Sequence, residues 1–331
     1  MRGRPSKTRR SGKTMFRYAL TRIAVALGLI WAVVTLVFLV IHFVPGDPAE
    51  LLLSQGGVAP DPAAVTELRE KLGLDRPILA QYASHVGGLL KGDLGSSLLD
   101  DHSVAEEIAL RLPRTLELIF AASLIAVLFG LPLGTLAALR SGGAVDRVLA
   151  GAAGLGLSIP VFVVGTIAIL VFAQKLRWVP AGGFVPFARD PLQHLILLLM
   201  PASTIALGLG AVVFRVTRSS VLEVLERDYV RAAHAKGLKP SRIVLHHVLR
   251  NALIPVVTVV ALHMGSLLGG TVLVEFVFNW PGLSGYLVRA VEQRDYPEVV
   301  GIVLVISVAF VVINLVVDLL YAVIDPRVRH G

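Results

Sequence analysis

DYVRAAHAKGLKPSRIVLHHVLRNALIP, residues 228–255, is a basic segment between two long apolar runs. Its alanine-rich start favours a helix that continues to Lys236. Gly237 can take the left-handed conformation that ends a helix, and Leu238 can make the accompanying hydrophobic contact. Pro240 suits the first position of a second helix. The segment therefore predicts two short helices joined by a sharp turn.

The second of these helices is predicted to be amphipathic. One face is polar and suits contact with water or a partner, and it carries Arg242, His246 and Arg250. The apolar face repeats at i, i+3 and i+4, at Val244, Leu245, Val248, Leu249 and Ala252.

Composition identifies an integral membrane protein. Of 331 residues 55% are hydrophobic and 16% are charged, and the mean hydropathy is +0.75. The absence of cysteine excludes disulfides, thiolate metal sites and a cysteine nucleophile. Most of the formal charge of +8 lies beside apolar runs, where basic residues usually report topology and not nucleic-acid binding.

The amino-terminal third contains a tail, a span and a polar region. Residues 1–15 form a basic tail that we expect to be disordered and cytoplasmic, and Gly12-Lys13-Thr14 matches only half of a phosphate loop. Residues 16–44 are apolar for too long for a signal peptide and predict an uncleaved transmembrane helix. Residues 45–113, with eleven acidic and five basic side chains, predict an extracytoplasmic helical insert.

Residues 114–324 predict a transmembrane core of five further helices, near 115–139, 148–176, 194–214, 254–276 and 299–324. The loops alternate in charge, except that the loop 175–190 is slightly basic. The loop 215–253 is predicted to be cytoplasmic because its residues 215–250 carry eight basic and three acidic side chains. We therefore expect an all-α protein with six spans and both termini, including the tail 325–331, in the cytoplasm.

Small and helix-breaking residues occur within the spans. Gly130 with Gly134, and Gly265 with Gly269, have the spacing typical of close helix contacts. Three spans also contain a proline, which is tolerated where a helix is buried or lines a cavity, at Pro132, Pro160 and Pro201.

Placed between the fourth and fifth spans, residues 228–255 resemble the conserved cytoplasmic loop of ATP-binding-cassette (ABC) importer permeases. That loop reads E-A-A-x3-G followed by I-x-L-P. Ala232, Ala233 and Gly237 match it in type and spacing, whereas Arg231 replaces the glutamate and Pro255 comes later. With both departures, the segment resembles the loop of the peptide and nickel permease branch of this family.

The resemblance covers nearly the whole chain after residue 15. Seven strings look like the B-type permease of a dipeptide or oligopeptide importer: PGDP at 45–48, GLDRP at 73–77, GDLGSS at 92–97, RLPRTLEL at 111–118, VEFVFNWPGLSGYL at 274–287, RDYP at 294–297 and VDLLYAVIDPRVR at 317–329.

The resemblance implies a type I importer permease fold in a bacterial inner (plasma) membrane, without a catalytic, metal or cofactor site of its own. Implied partners are a second homologous permease, one or two ATPase subunits that bind ATP and Mg, an extracytoplasmic substrate-binding protein and membrane lipid, but no nucleic acid. Residues implied to couple the chain to the ATPase are Asp228, Tyr229, Arg231, Ala232, Ala233, His234, Lys236, Gly237, Leu238 and Pro255.

Two further groups are candidate site residues. A polar side chain inside a span is a functional candidate because its burial is costly, which makes His263, Asn314 and Asp318 candidates for the translocation path. The alternative for His263 is a hydrogen bond to a neighbouring helix, and we expect Asp318 to pair or to contact water near the cytoplasmic end. The candidates for docking of the binding protein are Trp280, Pro281, Gly282 and Tyr296, although aromatic anchoring at the membrane interface explains Trp280 equally well. We expect Glu117, Glu275 and His42 to act as anchors at the outer boundary.

Alternatives remain open. Similar permeases import nickel, glutathione or haem. Gly282, Ser284 and Gly285 with His263 also match parts of an intramembrane serine protease, although their order is reversed. A proton-coupled secondary transporter would use intramembrane ionisable groups, and a basic helix-glycine-helix can also read DNA.

Overall fold

The computed structural model of the protein describes residues 8–43, 61–71 and 75–324. The PGDP string and the carboxy-terminal tail lie outside these residues. Within them the chain is helical and forms no strand. The helices are α1 (Thr8–Phe43), α2 (Pro62–Lys71), α3 (Ile78–Leu90), α4 (Val104–Leu139), α5 (Ala144–Ser158), α6 (Val161–Ala168), α7 (Pro191–Leu225), α8 (Asp228–Ala235), α9 (Pro240–Arg242), α10 (Leu249–Gly270), α11 (Val272–Val277), α12 (Leu283–Glu292) and α13 (Tyr296–Ile324). Two π-helical turns, Ile169–Lys175 and Ile243–Val248, follow α6 and α9.

Five helical stretches in the described residues are long and apolar enough to cross a membrane, and α5 with α6 forms a sixth, bent candidate. The prediction of six spans is confirmed if this pair counts as one. The first helix begins at Thr8 and not at Phe16, so the second half of the basic tail is helical. Lysine and arginine are good helix formers, which explains why the helix continues into the tail.

Successive spans run in opposite directions between two ends of the bundle. Arg22 of α1 pairs with Asp318 near the end of α13, while Thr35 further along α1 reaches Tyr82 of α3. We call the end that carries α8 the basic end and the end that carries α2 and α3 the insert end. Helix α1 begins at Thr8 and α13 ends at Ile324, and both of these helix ends lie at the basic end.

The third span is broken. The axes of α5 and α6 meet at 100° across Ile159 and Pro160, whereas the sequence predicts one helix over 148–176. Pro160 lacks an amide hydrogen and disfavours helical geometry in Ile159, which explains the break. The pair still connects the two ends: Asp146 contacts Arg218 at the basic end, and Gly183 beyond it donates a hydrogen bond to the Phe278 carbonyl at the insert end.

Helices α4 and α7 form the centre of the bundle and run in the same direction. A Cβ added at Gly130 would lie 2.8 Å from the Gly210 carbonyl oxygen, and one added at Gly134 would lie 2.7 Å from that of Phe214. The predicted close contact at this glycine pair is confirmed. The second pair is confirmed only in part, since Gly265 meets Phe310 of α13 and Gly269 has no such neighbour within 4 Å.

The described part of the insert is helical, as predicted. Its helix α3 packs beside α1, where the Phe38 and Tyr82 rings meet edge to face with centroids 5.2 Å apart. A loop over residues 91–103 then leads into α4, whose first turn is capped by the Ser103 side chain.

Candidate functional site

The turn after α8 has the hydrogen bonds of a Schellman motif. Gly237 has φ of +74°, and its amide donates to the His234 carbonyl at 2.9 Å. The next amide, of Leu238, donates to the Ala233 carbonyl at 3.3 Å. Leu238 also packs against the buried residues of the segment. The predicted glycine ending and hydrophobic contact are therefore confirmed, and so is Pro240 as the first residue of α9.

One face of α8 is packed against the rest of the chain. Val230 is 1% exposed and Ala233 is 7% exposed. They belong to a cluster that we call the basic-end core, completed by Ala138 of α4, Val221 of α7, Ile243, Val248 and Ala252. The spacing i, i+3 places Val230 and Ala233 on the same inner face. Ala233 is therefore packed inside this chain, whereas Ala232 lies on the exposed face, and the coupling role implied for the two alanines stays a prediction.

The other face of α8 is exposed, and it carries Asp228, Tyr229, Arg231, Ala232, His234 and Lys236. The Arg231 guanidinium donates to Asp228 at 2.9 Å, and both side chains are more than 70% exposed. Such a pair contributes less than about 1 kcal/mol. Tyr229 accepts a hydrogen bond of 3.1 Å from Asn251 of α10, which ties the outer face of α8 to the fifth span.

The helix after the turn buries most of the predicted apolar face, since Val248 and Ala252 are buried and Leu249 packs against them. Leu245 is the exception at 61% exposed, and Ile243 is buried although it was not part of the predicted face. Both lie in the π-helical turn Ile243–Val248, whose i→i+5 hydrogen bonds widen the turn and change which of its positions face inward. Pro255 is exposed inside α10, one turn after Asn251.

An ion pair supports this region from the third span. Arg218 of α7 donates to the Asp146 carboxylate through Nε at 2.6 Å and through a terminal nitrogen at 2.8 Å. Asp146 is buried and also accepts the Gly142 amide at 2.9 Å. The two-bond geometry is specific to arginine. Sequence reasoning missed this pair, although an aspartate in the first turn after Gly142-Gly143 is a recognisable helix-start signal.

Two of the three candidate path residues donate to their own helices, and the third pairs with the first span. His263 Nδ1 donates to the Val259 carbonyl at 3.0 Å, one turn earlier in its own helix. Asn314 donates to the Phe310 carbonyl at 2.8 Å and faces Gly265 across the α10–α13 contact. Asp318 pairs with Arg22 of α1 at 2.9 Å. Asp318 thus joins the first and last spans.

The candidate docking residues are mostly interior. Trp280 is 2% exposed, and its indole N–H donates to the Arg114 carbonyl at 3.1 Å. Its ring packs edge to face with Phe184. Gly282 is buried, and Pro281 and Tyr296 are partly buried. The side chain of Trp280 therefore anchors the core of the insert end and does not present a surface for a binding protein.

The charged anchors at the insert end differ in burial. The Glu117 side chain is 37% exposed, and its Oε1 lies 2.8 Å from Nε2 of His194, which is 1% exposed and whose Nδ1 lies 2.7 Å from the Val185 carbonyl oxygen. Glu275 is 1% exposed and lies between helices, not at a lipid boundary. His42 lies outside the residues whose side chains the structure describes.

The serine-protease alternative finds no support in the geometry. Ser284 is buried, and its hydroxyl lies 3.2 Å from Thr271 Oγ1 and 3.2 Å from the Leu268 carbonyl oxygen, neither of which is a general base. His263 bonds to its own helix. Within the part of the chain that the structure describes, no group of three or more histidine, aspartate or glutamate side chains has the arrangement of a metal site.

Two family models match the chain. Residues 130–330 match the binding-protein-dependent transport system inner membrane component, and residues 15–119 match the amino-terminal region of membrane components of the same systems. Together they cover the whole insert and all of the core except residues 120–129.

Relatives of similar length agree with these matches. The glutathione transport system permease proteins GsiC of Pectobacterium atrosepticum and Escherichia coli K12 are each 42% identical over 316 residues, which is 96% of this chain and 100% of each relative. A Brucella suis chain, named provisionally as a peptide permease, is 40% identical over 321 residues, which is 95% of this chain and 99% of that relative.

A solved structure supports the fold. A chain of the MetNI methionine ABC transporter in an inward-facing conformation superposes with a TM-score of 0.54 at 18% identity and covers 66% of this chain and 96% of that chain. The matching family, and not this structure, implies an ATPase, a second permease and a substrate-binding protein as partners. The chain belongs to the family of binding-protein-dependent transport system inner membrane components, the permease subunits of ABC importers.

Proposed function

We propose that this permease forms half of the translocation pathway of an importer for dipeptides or oligopeptides, and that α8 with the Gly237 turn couples the pathway to the partner ATPase. The observation that carries the coupling role is that α8 is buried on one face and exposed on the other. Its inner face belongs to the basic-end core together with Ala138, Val221 and Ala252, which lie in three different spans. A displacement of its outer face is therefore transmitted to α4, α7 and α10 together.

The basic end faces the cytoplasm in this proposal. The eight basic and three acidic side chains over residues 215–250 support that orientation. Both Thr8 and Ile324 then lie on the cytoplasmic side, with the insert outside.

The chain's own residues would act mechanically in the cycle. Closure of the ATPase subunits moves the exposed face of α8, and the Schellman turn keeps α8 and α9 at a fixed angle. The basic-end core passes the displacement to the spans. Alternating access then follows because the ATPase binds the two conformations of the permease with different affinity.

A glutathione importer is the second candidate for the substrate. It is favoured by the names of the relatives at 42% identity. Glutathione is itself a short peptide, so both candidates describe a substrate with free carboxylates and peptide amides.

The test is uptake by the complete importer in vesicles, with the chain co-purified with its ATPase, its second permease and its binding protein. Labelled dipeptide, a longer peptide, glutathione and nickel are compared with and without ATP. Peptide uptake that requires ATP supports the proposal, and glutathione as the preferred substrate supports the second candidate. Uptake that depends on a proton gradient and is unchanged by ATP depletion would refute both candidates.

Coupling is tested with a pair of matched substitutions. Ala232→Trp adds bulk on the exposed face of α8 and is expected to abolish co-purification of the ATPase. Ala181→Trp adds the same bulk at an exposed position of the insert end, where ATPase binding is expected to be unchanged. Equal ATPase recovery with both variants would contradict the coupling role of α8.

A further inference from the structure

The Glu275 carboxylate joins three helices at the insert end. Its Oε1 accepts hydrogen bonds from Thr115 Oγ1 at 2.7 Å and from Thr271 Oγ1 at 3.2 Å. Its Oε2 accepts the Gly285 amide at 2.9 Å. Thr115 belongs to α4, Glu275 to α11 and Gly285 to α12. A buried carboxylate with three donors is fully partnered, which is the condition for keeping such a group inside a protein.

The same contacts cap α12. Gly282, the residue before its first turn, has no side chain that can cap the helix. Instead the Thr115 hydroxyl accepts the Leu283 amide at 2.8 Å, and Glu275 accepts the amide of Gly285. The first amides of a helix need such acceptors, and a negative charge is favourable there. The start of α12 is therefore completed by residues from two other helices.

The space for the carboxylate depends on Gly282. A Cβ at this position would lie 2.4 Å from the Glu275 carboxyl carbon. Beside it, Trp280 donates to the Arg114 carbonyl. We call the set Thr115, Thr271, Glu275, Leu283 and Gly285 the Glu275 clasp.

A second buried carboxylate holds the other end of α12. Asp295 is 0% exposed and its amide donates to the Ala290 carbonyl in α12 at 2.9 Å. Its Oδ2 accepts from Ser97 Oγ at 2.6 Å and from the Leu98 amide at 3.0 Å. These two residues lie in the loop that leads into α4. Helix α12 is thus tied to α4 at its start and to the approach of α4 at its end.

We propose that Glu275 is a positioning residue for transport, which fixes α12 to α4 so that the two helices move as one body between transport states. The inference rests on the proposed function, since it concerns the conformational cycle of the importer. Opening the clasp would leave a carboxylate and helix amides buried without partners.

The test uses a cysteine pair, which is convenient because the chain has no native cysteine. Arg114→Cys with Pro281→Cys places one thiol on α4 and one before α12, at residues that are adjacent in the structure. A short bismaleimide then reports their proximity in the reconstituted importer, at rest and after trapping with ATP and vanadate. We expect equal cross-linking in both states.

Variants of the clasp are made in this parent pair. Glu275→Ala is expected to reduce cross-linking and ATP-driven uptake by about tenfold, as expected for the loss of a buried, charged acceptor. Glu275→Gln keeps one acceptor and the volume, so it should recover part of both signals even if the alanine variant assembles poorly. Glu292→Gln changes an exposed carboxylate of the same helix and should match the parent.

Two outcomes would overturn the inference: cross-linking of the parent that disappears on trapping, or a Glu275→Ala variant whose cross-linking and uptake equal those of the parent. Absence of ATP-driven uptake by the wild-type importer would instead refute the proposed function. In that case the inference is tested by cross-linking at rest alone. Cross-linking in Glu275→Ala equal to that of the parent pair would still refute the positioning role of Glu275.

Discussion

Replacement of Gly134 by alanine is expected to separate the two central helices. The added Cβ would lie 2.7 Å from the Phe214 carbonyl oxygen and 2.8 Å from Thr217 Cβ. The first distance is about 0.7 Å short of the 3.4 Å at which ordinary contact begins. Because the nearest atom belongs to the backbone of a helix, it cannot move aside by a change of rotamer.

The expected cost is a balance of two effects. Overpacking of a tight interface costs about 1–3 kcal/mol. Alanine in place of glycine inside a helix returns up to about 1 kcal/mol. Since the backbone neighbour cannot move aside, the overpacking cost should lie at about 2–3 kcal/mol, so a net loss of about 1–2 kcal/mol remains. Such a loss lowers the melting temperature by about 1.5–3 °C in a chain of 331 residues.

The assay is the fraction of detergent-purified protein that stays monodisperse after heating, measured for wild type, Gly134→Ala and a control. Gly208→Ala serves as the control because it adds the same methyl group to a helical glycine of α7 that has no such neighbour within 4 Å. It should be neutral or slightly stabilising. A Gly134→Ala protein as stable as the Gly208→Ala protein would refute the argument from close packing.

Three other substitutions are expected to separate roles at the basic end. Gly237→Val should lower ATP-driven uptake, because φ of +74° is strained for a branched residue, whereas Gly237→Asn should retain most of it; equal uptake by both would contradict this. Ala233→Trp should lower thermal stability because Ala233 is buried, whereas Ala232→Trp should melt like wild type; the reverse order would show that α8 faces the other way. Asp146→Asn should destabilise the chain by about 1–3 kcal/mol, and a double-mutant cycle with Arg218→Gln that shows no coupling would exclude the ion pair as the cause.

The sequence was sufficient for the spans, the glycine contact and the turn after α8. Each depends on local chemistry: long apolar runs, Gly130 and Gly134 one helical turn apart, and a glycine in the left-handed conformation. These signals do not require knowledge of which distant residues meet.

The errors came from features that depend on packing over long distances or on helix geometry. The exposure of Leu245 does not follow from an ideal 3.6-residue period, because Leu245 lies in the π-helical turn Ile243–Val248. A carboxylate such as Glu275 at the end of an apolar run indicates a boundary anchor, and nothing near it in the sequence shows that Thr115, far away in the chain, will partner it. The same holds for Trp280, because nothing local predicts Phe184 and His194 around it.

The parallel contact between α4 and α7 also constrains how the protein is synthesised. Two neighbouring spans that run in the same direction must be separated by an odd number of crossings, and here the broken α5–α6 span lies between them in the chain. The glycine-lined face of α4 therefore enters the bilayer before its partner has left the ribosome. It must wait in contact with lipid or the insertion machinery until about 90 further residues, from Leu139 to Leu225, have been translated. The central interface of the permease is thus a late event in membrane insertion, although its first half is made early.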